Sequence, residues 1–272
     1  MKKIIIHIDD IGVSKSANKA SFDLLNSWFA TSGSIMIPCK WFEDAIENYK
    51  KNIALDLWVH LTLTSERDNE SMKWRPTLPI SEVPSLVDKN GYFHSTLDEV
   101  FENANYEDIK KELCSQLEIS LKAWLKPSHY DSHMGVLLHK KLFNIYLEIA
   151  TLFKIQPFIS QPKEWDSLGN RFYDCDIYID KLKQIGFSVL DHYDANSLYN
   201  WNDFNEYSKN RLKQIQDGTT YFLIHVLGEQ IDYEDLCSDY ISRQKEYDFF
   251  KSNEVKDILN QKDIQLISVK QL

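Results

Sequence analysis

Residues 3–10 read KIIIHIDD, an apolar run that ends in two adjacent carboxylates. Such a run predicts a strand that is buried on both faces, as in the parallel sheet of an α/β protein. Two later stretches also carry a polar group near the end of an apolar run, ALDLWVHLTLT (residues 54–64) and PSHYDSH (residues 127–133). Because the carboxyl ends of parallel strands meet at one face of the fold, we expect these polar groups to lie close together.

The groups that this pattern selects are Asp10, His60 and His133. One carboxylate and two imidazoles suit a single divalent ion. Asp10 and His60 are 50 residues apart, and His60 and His133 are 73 apart, so no local metal-binding loop can contain them. The set therefore indicates an enzyme site assembled by the whole fold rather than a structural metal clip.

The composition is that of an ordinary globular chain. Of 272 residues, 43% are hydrophobic and 26% charged, and the formal net charge is −10. We expect one catalytic domain over residues 1–272. The negative charge argues against nucleic acid or an anionic membrane as a partner, which favours a small-molecule substrate; a homodimer is left open.

The compartment expected from the sequence is the cytoplasm. The N-terminal apolar run reaches Asp9 too soon for a secretory signal, and no stretch approaches the roughly 20 apolar residues of a membrane span. The four cysteines are far apart, as expected of reduced thiols: Cys39, Cys114, Cys175 and Cys237.

Stretches with the strand period and the helix period alternate along the chain. Predicted strands cover residues 3–8, 34–38, 53–63, 128–132, 156–160, 187–191, 219–226 and 264–269. Predicted helices cover residues 16–29 (capped by Ser14 or Ser16), 40–50, 106–125, 138–152, 176–185, 204–216 and 234–251. Seven or eight such units predict an α/β fold, an irregular (β/α) barrel of the TIM-barrel type with its active site at the carboxyl ends of the strands.

Residues 65–104 interrupt this alternation with several prolines and no clear period. We expect this insertion to lie outside the core and to shape a substrate groove over the carboxyl face of the barrel. Within it, Trp74 has a flat ring suited to a sugar, and Arg75 can donate to substrate oxygens. Anchoring of the loop is an equally good interpretation of both residues.

Each candidate also has a plain structural interpretation when it is taken alone. An Asp-Asp pair can cap a helix, and a lone strand histidine such as His60 is more often a packed side chain than a ligand. The joint placement of several such groups at strand ends favours a functional interpretation. The histidines without that support are interpreted as structural: His7, His94, His139 and His192.

Three stretches resemble motifs of the YdjC-like carbohydrate deacetylases, which include the chitooligosaccharide deacetylases. HIDDIG (residues 7–12) is similar to the DDFG motif of that family, VHLTLT (59–64) to its G-x-H-L-x-L-T segment, and SHYDSH (128–133) to its T-H-x-D-S-H segment. The resemblance implies an irregular (β/α) barrel that removes N-acetyl groups from an amino sugar or a chitooligosaccharide.

The resemblance also implies a cofactor and a set of roles. One divalent metal ion, Mg²⁺ or Zn²⁺, would be bound by Asp10, His60 and His133, with Asp9 as the catalytic base. His225 would match the histidine of an H-P-G segment.

This chemistry can also be reasoned from the residues. Asp9, next to the ligand Asp10, can take a proton from the attacking water, and His225 at the end of its strand can protonate the leaving amine. We expect His129 and Asp131 to orient His133.

Two departures from the family pattern, and the ligand set itself, keep other functions open. Val226 occupies the proline position, and Gly135 and Leu137 replace two imidazoles. A barrel that binds carbohydrate without turnover is therefore one alternative. A non-heme Fe(II) oxygenase is another, because two histidines and one carboxylate also bind Fe(II).

Overall fold

A computed structural model describes residues 1–66, 72–160, 176–184, 186–195, 204–229 and 237–271. Its strands are β1 (Lys2–Ile11), β2 (Ser32–Ile35), β3 (Leu57–Leu61), β4 (His129–Ser132), β5 (Gln156–Pro157), β6 (His192–Ala195), β7 (Gly218–Ile224) and β8 (Ile264–Leu266). Its α-helices are α1 (Lys15–Asn26), α2 (Phe42–Lys51), α3 (Leu97–Asn103), α4 (Tyr106–Lys122), α5 (Phe143–Phe153), α6 (Asp176–Gln184), α7 (Phe204–Lys213), α8 (Tyr240–Lys251) and α9 (Asn253–Gln261).

The described strands pair in parallel in the order β5-β4-β3-β2-β1-β7-β6. On one side of β1, its first residues pair with β8 and its last ones with β2. The two edges of the sheet meet where Ser160 and Leu190 form a parallel bridge, and the Leu190 N–H donates to the Ile159 carbonyl at 2.9 Å. The predicted fold class, an irregular (β/α) barrel, is confirmed.

The sides of β1 face two different environments. Ile4, Ile6 and Ile8 point outward into the large core between sheet and helices. Ile5 points inward, into a smaller apolar cluster that also contains Trp58, Phe158, Leu190, Tyr221, Leu223, Ile267 and Val269. This cluster fills the interior below the next inward residues of β1, His7 and Asp9, so the polar groups rest on a packed apolar floor.

The order of predicted elements is reproduced among the described residues, and Ser14 caps α1 as expected. The strand expected at 187–191 pairs as β6 only from His192 onward, because apolar runs report burial and not where a ladder begins. Helices α3 and α9 were not predicted; α9 follows α8 after the single residue Ser252. Residues 185 and 234–236, at the ends of two predicted helices, lie outside the described residues.

The insertion 65–104 is built differently from our expectation. The prediction that it contributes nothing to the core is wrong, since its buried apolar side chains join the large core: Met72, Trp74, Val83, Leu86, Phe93 and Val100. Two acids on one face of α4 hold it: Glu112 accepts from Thr77 N–H at 2.9 Å, and Asp108 from Ser85 N–H at 3.0 Å. Residues 67–71 lie outside the described residues.

Two expectations from composition concern cysteines and membranes. Cys39, Cys114 and Cys237 are free thiols, whereas Cys175 lies outside the described residues. In the part of the chain that the structure describes, each helix is too short or too polar to cross a lipid bilayer.

Candidate metal and catalytic site

A β-bulge at the end of β1 brings two neighbouring carboxylates to the same place. Between Ile8 and Ile11, β1 contains one residue more than its partner β2. The extra residue bends the strand at Asp10, whose φ is +62°. Gly33 permits the close approach, because a Cβ there would lie 2.7 Å from the Ile11 side chain. Strict strand alternation would turn Asp9 and Asp10 to opposite faces, and the bulge removes that restriction.

The structure brings Asp10, His60 and His133 together. Oδ1 of Asp10 lies 3.5 Å from His60 Nε2 and 3.3 Å from His133 Nδ1. For metal–ligand bonds of about 2.0–2.1 Å, two ligands on a tetrahedral ion are separated by about 3.3 Å. Asp10 Oδ1 is also buried without a hydrogen bond. The three side chains thus have the donor types and the spacing that a divalent ion requires.

The other oxygen of Asp10 is held by an arginine that our sequence analysis missed. Arg243 of α8 is 5% exposed, and it donates to Asp10 Oδ2 at 2.8 Å and to Asp239 at 3.0 Å. Burial raises the pKa of Asp10, but the Arg243 charge and the two imidazoles outweigh burial and hold that pKa well below its usual value. One signal in the sequence could have identified this residue. Arg243 follows Asp239 by four positions and lies on the helix face that carries the buried residues of α8.

His60 is oriented by Asp131. Its Nδ1 lies 2.5 Å from Asp131 Oδ1 and 3.1 Å from the Ser34 hydroxyl, which directs Nε2 toward Asp10. Burial lowers the pKa of His60, but Asp131 and the aspartates of β1 outweigh it, and the pKa is raised well above its usual value. Asp131 was expected to orient His133; the structure directs it to His60 instead.

His129 lies away from the group that it was expected to orient. Its ring packs against Trp58 at a centroid distance of 5.1 Å, beside the apolar floor. Burial lowers the pKa of His129 to about 4. It is therefore a neutral packed side chain, and His133 must be positioned by other groups.

Asp9 stands next to the three clustered side chains. Its Oδ1 accepts from the Ser34 hydroxyl at 3.0 Å and lies 3.2 Å from His7 Nε2. Its Oδ2 lies 3.7 Å from His60 Nε2, the same nitrogen that faces Asp10. One oxygen of Asp9 is thus restrained by neighbours, while the other faces His60, one of the three clustered side chains.

His133 contacts the start of the insertion. Its Nε2 lies 3.5 Å from Glu66 Oε1, and the edge of its ring meets the ring of Trp74 at a centroid distance of 5.9 Å. Trp74 is only 6% exposed, and its indole N–H donates to the Thr64 carbonyl at 2.7 Å. It therefore does not present the open ring face that we expected for a sugar, and in this structure it supports His133.

Arg75 projects to the surface beside the site. It donates to the Gly91 carbonyl at 3.1 Å and its guanidinium lies 4.3 Å from the centroid of the Tyr92 ring. These contacts anchor the loop, and Arg75 itself is exposed.

His225 approaches Asp10 from β7, on the side of Arg243. Its Nε2 lies 3.9 Å from Asp10 Oδ2, and its backbone N–H donates to the buried Glu246 at 2.8 Å. Burial and, to a smaller extent, Arg243 lower the pKa of His225. A weakly basic imidazole thus lies across Asp10 from the His60–His133 pair.

With this geometry established, comparison with known proteins shows the family. The profile of the YdjC-like proteins matches residues 3–261. The chain belongs to this family. The three motifs that resemble it carry Asp9, Asp10, His60 and His133.

Two relatives of this chain are carbohydrate deacetylases by name. The YdjC-like chain is 31% identical to the carbohydrate deacetylase of Thermus thermophilus over 61% of its own length and 56% of that protein, so the match spans little more than half of that relative. It is 25% identical to carbohydrate deacetylase 1 of Listeria innocua over 99% of its own length and 100% of that protein.

A solved structure shows the same fold. It is that of a proposed cellobiose-phosphate cleavage protein from Enterococcus faecalis, which superposes with a TM-score of 0.82 at 23% identity and covers 99% of this chain and 98% of that one.

Proposed function

We propose that this YdjC-like chain is a divalent-metal-dependent deacetylase that removes N-acetyl groups from an amino sugar or a chitooligosaccharide. The observation that carries the proposal is that His60 Nε2 and His133 Nδ1 both face the buried Oδ1 of Asp10, which accepts no hydrogen bond, beside the second carboxylate of Asp9. The names of the relatives support sugar deacetylation as the reaction.

The metal ligands in this proposal are Asp10, His60 and His133. A bound Zn²⁺ or Mg²⁺ supplies positive charge that polarises an amide carbonyl and lowers the pKa of water. Arg243 holds Asp10 as a carboxylate, and Asp131 holds the ring of His60 with Nε2 toward the site.

Two further residues move protons. The Oδ2 of Asp9 faces His60 Nε2, where it is placed to accept a proton from an attacking water. His225 reaches the opposite side of Asp10 and donates a proton to the amine as the C–N bond breaks. Water is consumed, and acetate and the free amine are released.

The sugar would enter over the insertion. Arg75 is the neighbour of Trp74, whose ring packs on His133. Because Arg75 is exposed, its guanidinium can donate to sugar hydroxyls. The inward ring of Trp74 shapes the site by supporting a ligand rather than by stacking.

Acetate release tests the proposal. The purified chain is stripped with EDTA, resupplied with Mg²⁺, Mn²⁺, Co²⁺ or Zn²⁺, and offered N-acetylglucosamine and chitooligosaccharides of increasing length. We expect acetate release that requires metal, and we expect Asp10→Asn to abolish it.

Three outcomes would contradict the proposal. Sugar binding without acetate release under every metal would make the chain a carbohydrate-binding barrel. Release that persists after metal removal would exclude the metal role. Oxidation that depends on Fe(II) and a 2-oxoacid would assign the site to an oxygenase.

A further inference from the structure

His7 is a buried imidazole that the proposed mechanism does not use. It is 0% exposed, so neither substrate nor solvent reaches it. Its Nε2 lies 3.2 Å from Asp9 Oδ1 and 3.3 Å from Asp131 Oδ2. Neither contact has the geometry of a straight hydrogen bond. This is the arrangement expected when one N–H points between two acceptors and is shared by them.

The two carboxylates that face Nε2 can only accept hydrogen bonds, so they favour a proton on that nitrogen, and the contact of the other ring nitrogen is compatible with it. His7 Nδ1 lies 2.8 Å from the Ser32 hydroxyl. A neutral ring that accepts from this hydroxyl carries its proton on Nε2, and a charged ring carries protons on both nitrogens. In either state the two carboxylates face an N–H.

The plane of the ring is held by aromatic neighbours. The His7 ring lies 4.2 Å from the ring of Trp58 and 4.9 Å from that of Tyr221, measured between centroids. Both neighbours belong to the apolar floor of the barrel and are at most 2% exposed. The imidazole therefore cannot swing away from the carboxylates without repacking the floor.

The two carboxylates that His7 contacts have different tasks in the proposed function. Asp9 accepts the proton, and Asp131 orients the ligand His60 through a 2.5 Å contact. The buried N–H of His7 thus lies between Asp9, the proton acceptor, and Asp131, the group that orients His60.

We propose that His7 is a positioning residue for deacetylation: its Nε2–H holds Asp9 and Asp131 at a set separation, so that the free oxygen of Asp9 meets the attacking water at the metal. This inference rests on the proposed function for the task of Asp9, and on the structure alone for the contacts. A displacement of a catalytic group by about 1 Å can cost on the order of 10²-fold in rate.

Two substitutions separate the N–H from the ring. His7→Phe keeps an aromatic ring between Trp58 and Tyr221 but removes the donor. His7→Gln carries an amide nitrogen at the same number of bonds from Cα as Nε2, so it restores the donor without the ring.

The readouts are turnover of N,N′-diacetylchitobiose with Zn²⁺, and Zn²⁺ affinity. For His7→Phe we expect kcat to fall about 10–10²-fold, with KM and the Zn²⁺ dissociation constant within about threefold of wild type, because no ligand is removed. His7→Gln should recover most of kcat. The matched control is His94→Phe, at another buried histidine, which contacts the Ser85 carbonyl in the insertion; it should leave kcat, KM and the Zn²⁺ dissociation constant unchanged.

Four outcomes would overturn the inference. If His7→Phe retained full kcat, or lost Zn²⁺ as completely as Asp10→Asn, His7 would not act through Asp9. If His7→Gln were as impaired as His7→Phe, the ring and not the donor would matter. If wild type bound two Zn²⁺ per chain and His7→Phe bound one, His7, Asp9 and Asp131 would be ligands to a second ion.

A measurement without turnover keeps this inference distinct from the proposed function. In ¹⁵N-labelled wild type, we expect His7 Nε2 to carry a proton, and we expect its resonance to shift in Asp9→Asn. An unprotonated Nε2, or an Nε2 resonance that does not shift in Asp9→Asn, would overturn the positioning role even in an active enzyme. If the His7 Nε2 resonance depended on Asp9 but no acetate were released, the proposed function alone would be overturned.

Discussion

At the scale of single residues, the site depends on different surroundings for chemically identical groups. Asp9 and Asp10 are adjacent aspartates, but Arg243 holds Asp10 while a hydroxyl and an imidazole restrain Asp9. The bulge at the end of β1 allows both to reach one site. The proposed division of labour between ligand and base therefore follows from backbone geometry, because the side chains are the same.

Substitution of each aspartate tests this division. We expect Asp9→Asn to keep the bound metal and to lose at least about 10²-fold in kcat, the typical contribution of a general base. Asp10→Asn should lose both metal and turnover. Metal content by elemental analysis and kcat by acetate release measure the two effects, and near-normal kcat in Asp9→Asn would contradict the assignment.

A second residue-scale prediction concerns Trp74. Because its ring is buried against His133, Trp74→Ala should lower the free energy of unfolding by about 3–5 kcal/mol and weaken metal binding. Trp124→Ala is the matched control, since Trp124 is 75% exposed, and it should change stability by less than about 0.5 kcal/mol. Urea denaturation measures both variants; a raised KM with unchanged stability would instead favour sugar stacking.

At the scale of elements, α4 holds the insertion next to the site. Glu112 is 0% exposed and accepts from the backbone N–H groups of Thr77 and Leu78 at 2.9 and 3.2 Å. Gln116, one turn later, donates to the Thr62 carbonyl of the segment that leaves β3. The helix thus holds both the residues just before the insertion and the body of the insertion itself.

Removal of the Glu112 carboxylate should release the insertion. Glu112→Ala leaves two backbone donors unpaired, at about 1–3 kcal/mol each, so we expect faster proteolytic cleavage within residues 72–104. Glu118→Ala, an exposed acid on the same helix, should be cleaved at the wild-type rate. Equal cleavage of the two variants would show that apolar packing alone holds the segment.

At the scale of the whole molecule, the buried imidazole of His129 makes the free energy of unfolding depend on pH. The pKa of His129 is about 4 when folded, below the unfolded value of 6.5. Between these values the unfolded chain binds a proton that the folded chain does not, so stability falls as pH decreases from 6.5 toward 4 and is unaffected by this group above 6.5.

His129→Gln removes this titration. In metal-free protein, the pH dependence of the unfolding free energy between pH 7 and 4 should be smaller than that of wild type by up to about 3 kcal/mol, from 1.36 kcal/mol per pKa unit. Urea titrations at four pH values measure it. Parallel curves for the two proteins would mean that folding does not lower the pKa of His129.

Much of this architecture follows from local pattern in the chain. Alternation of strand and helix periods indicates a parallel barrel, and polar groups at strand ends single out Asp10, His60 and His133, because parallel strands share one carboxyl face. Both are properties of short segments, and hydrophobic periodicity encodes which side of a segment is buried.

Other features depend on contacts between distant segments, which periodicity does not encode. Arg243 meets Asp10 across 233 residues because α8 packs on α1, the helix that follows β1, and so brings its arginine to the end of that strand. Trp74 is buried because α4 holds the insertion against His133, although its own segment has no period. His7 shares the strand of Asp9 but gains its position only from Asp131 on β4 and the rings of the floor. Curvature of the sheet decides these neighbours, and curvature is a property of all the strands together.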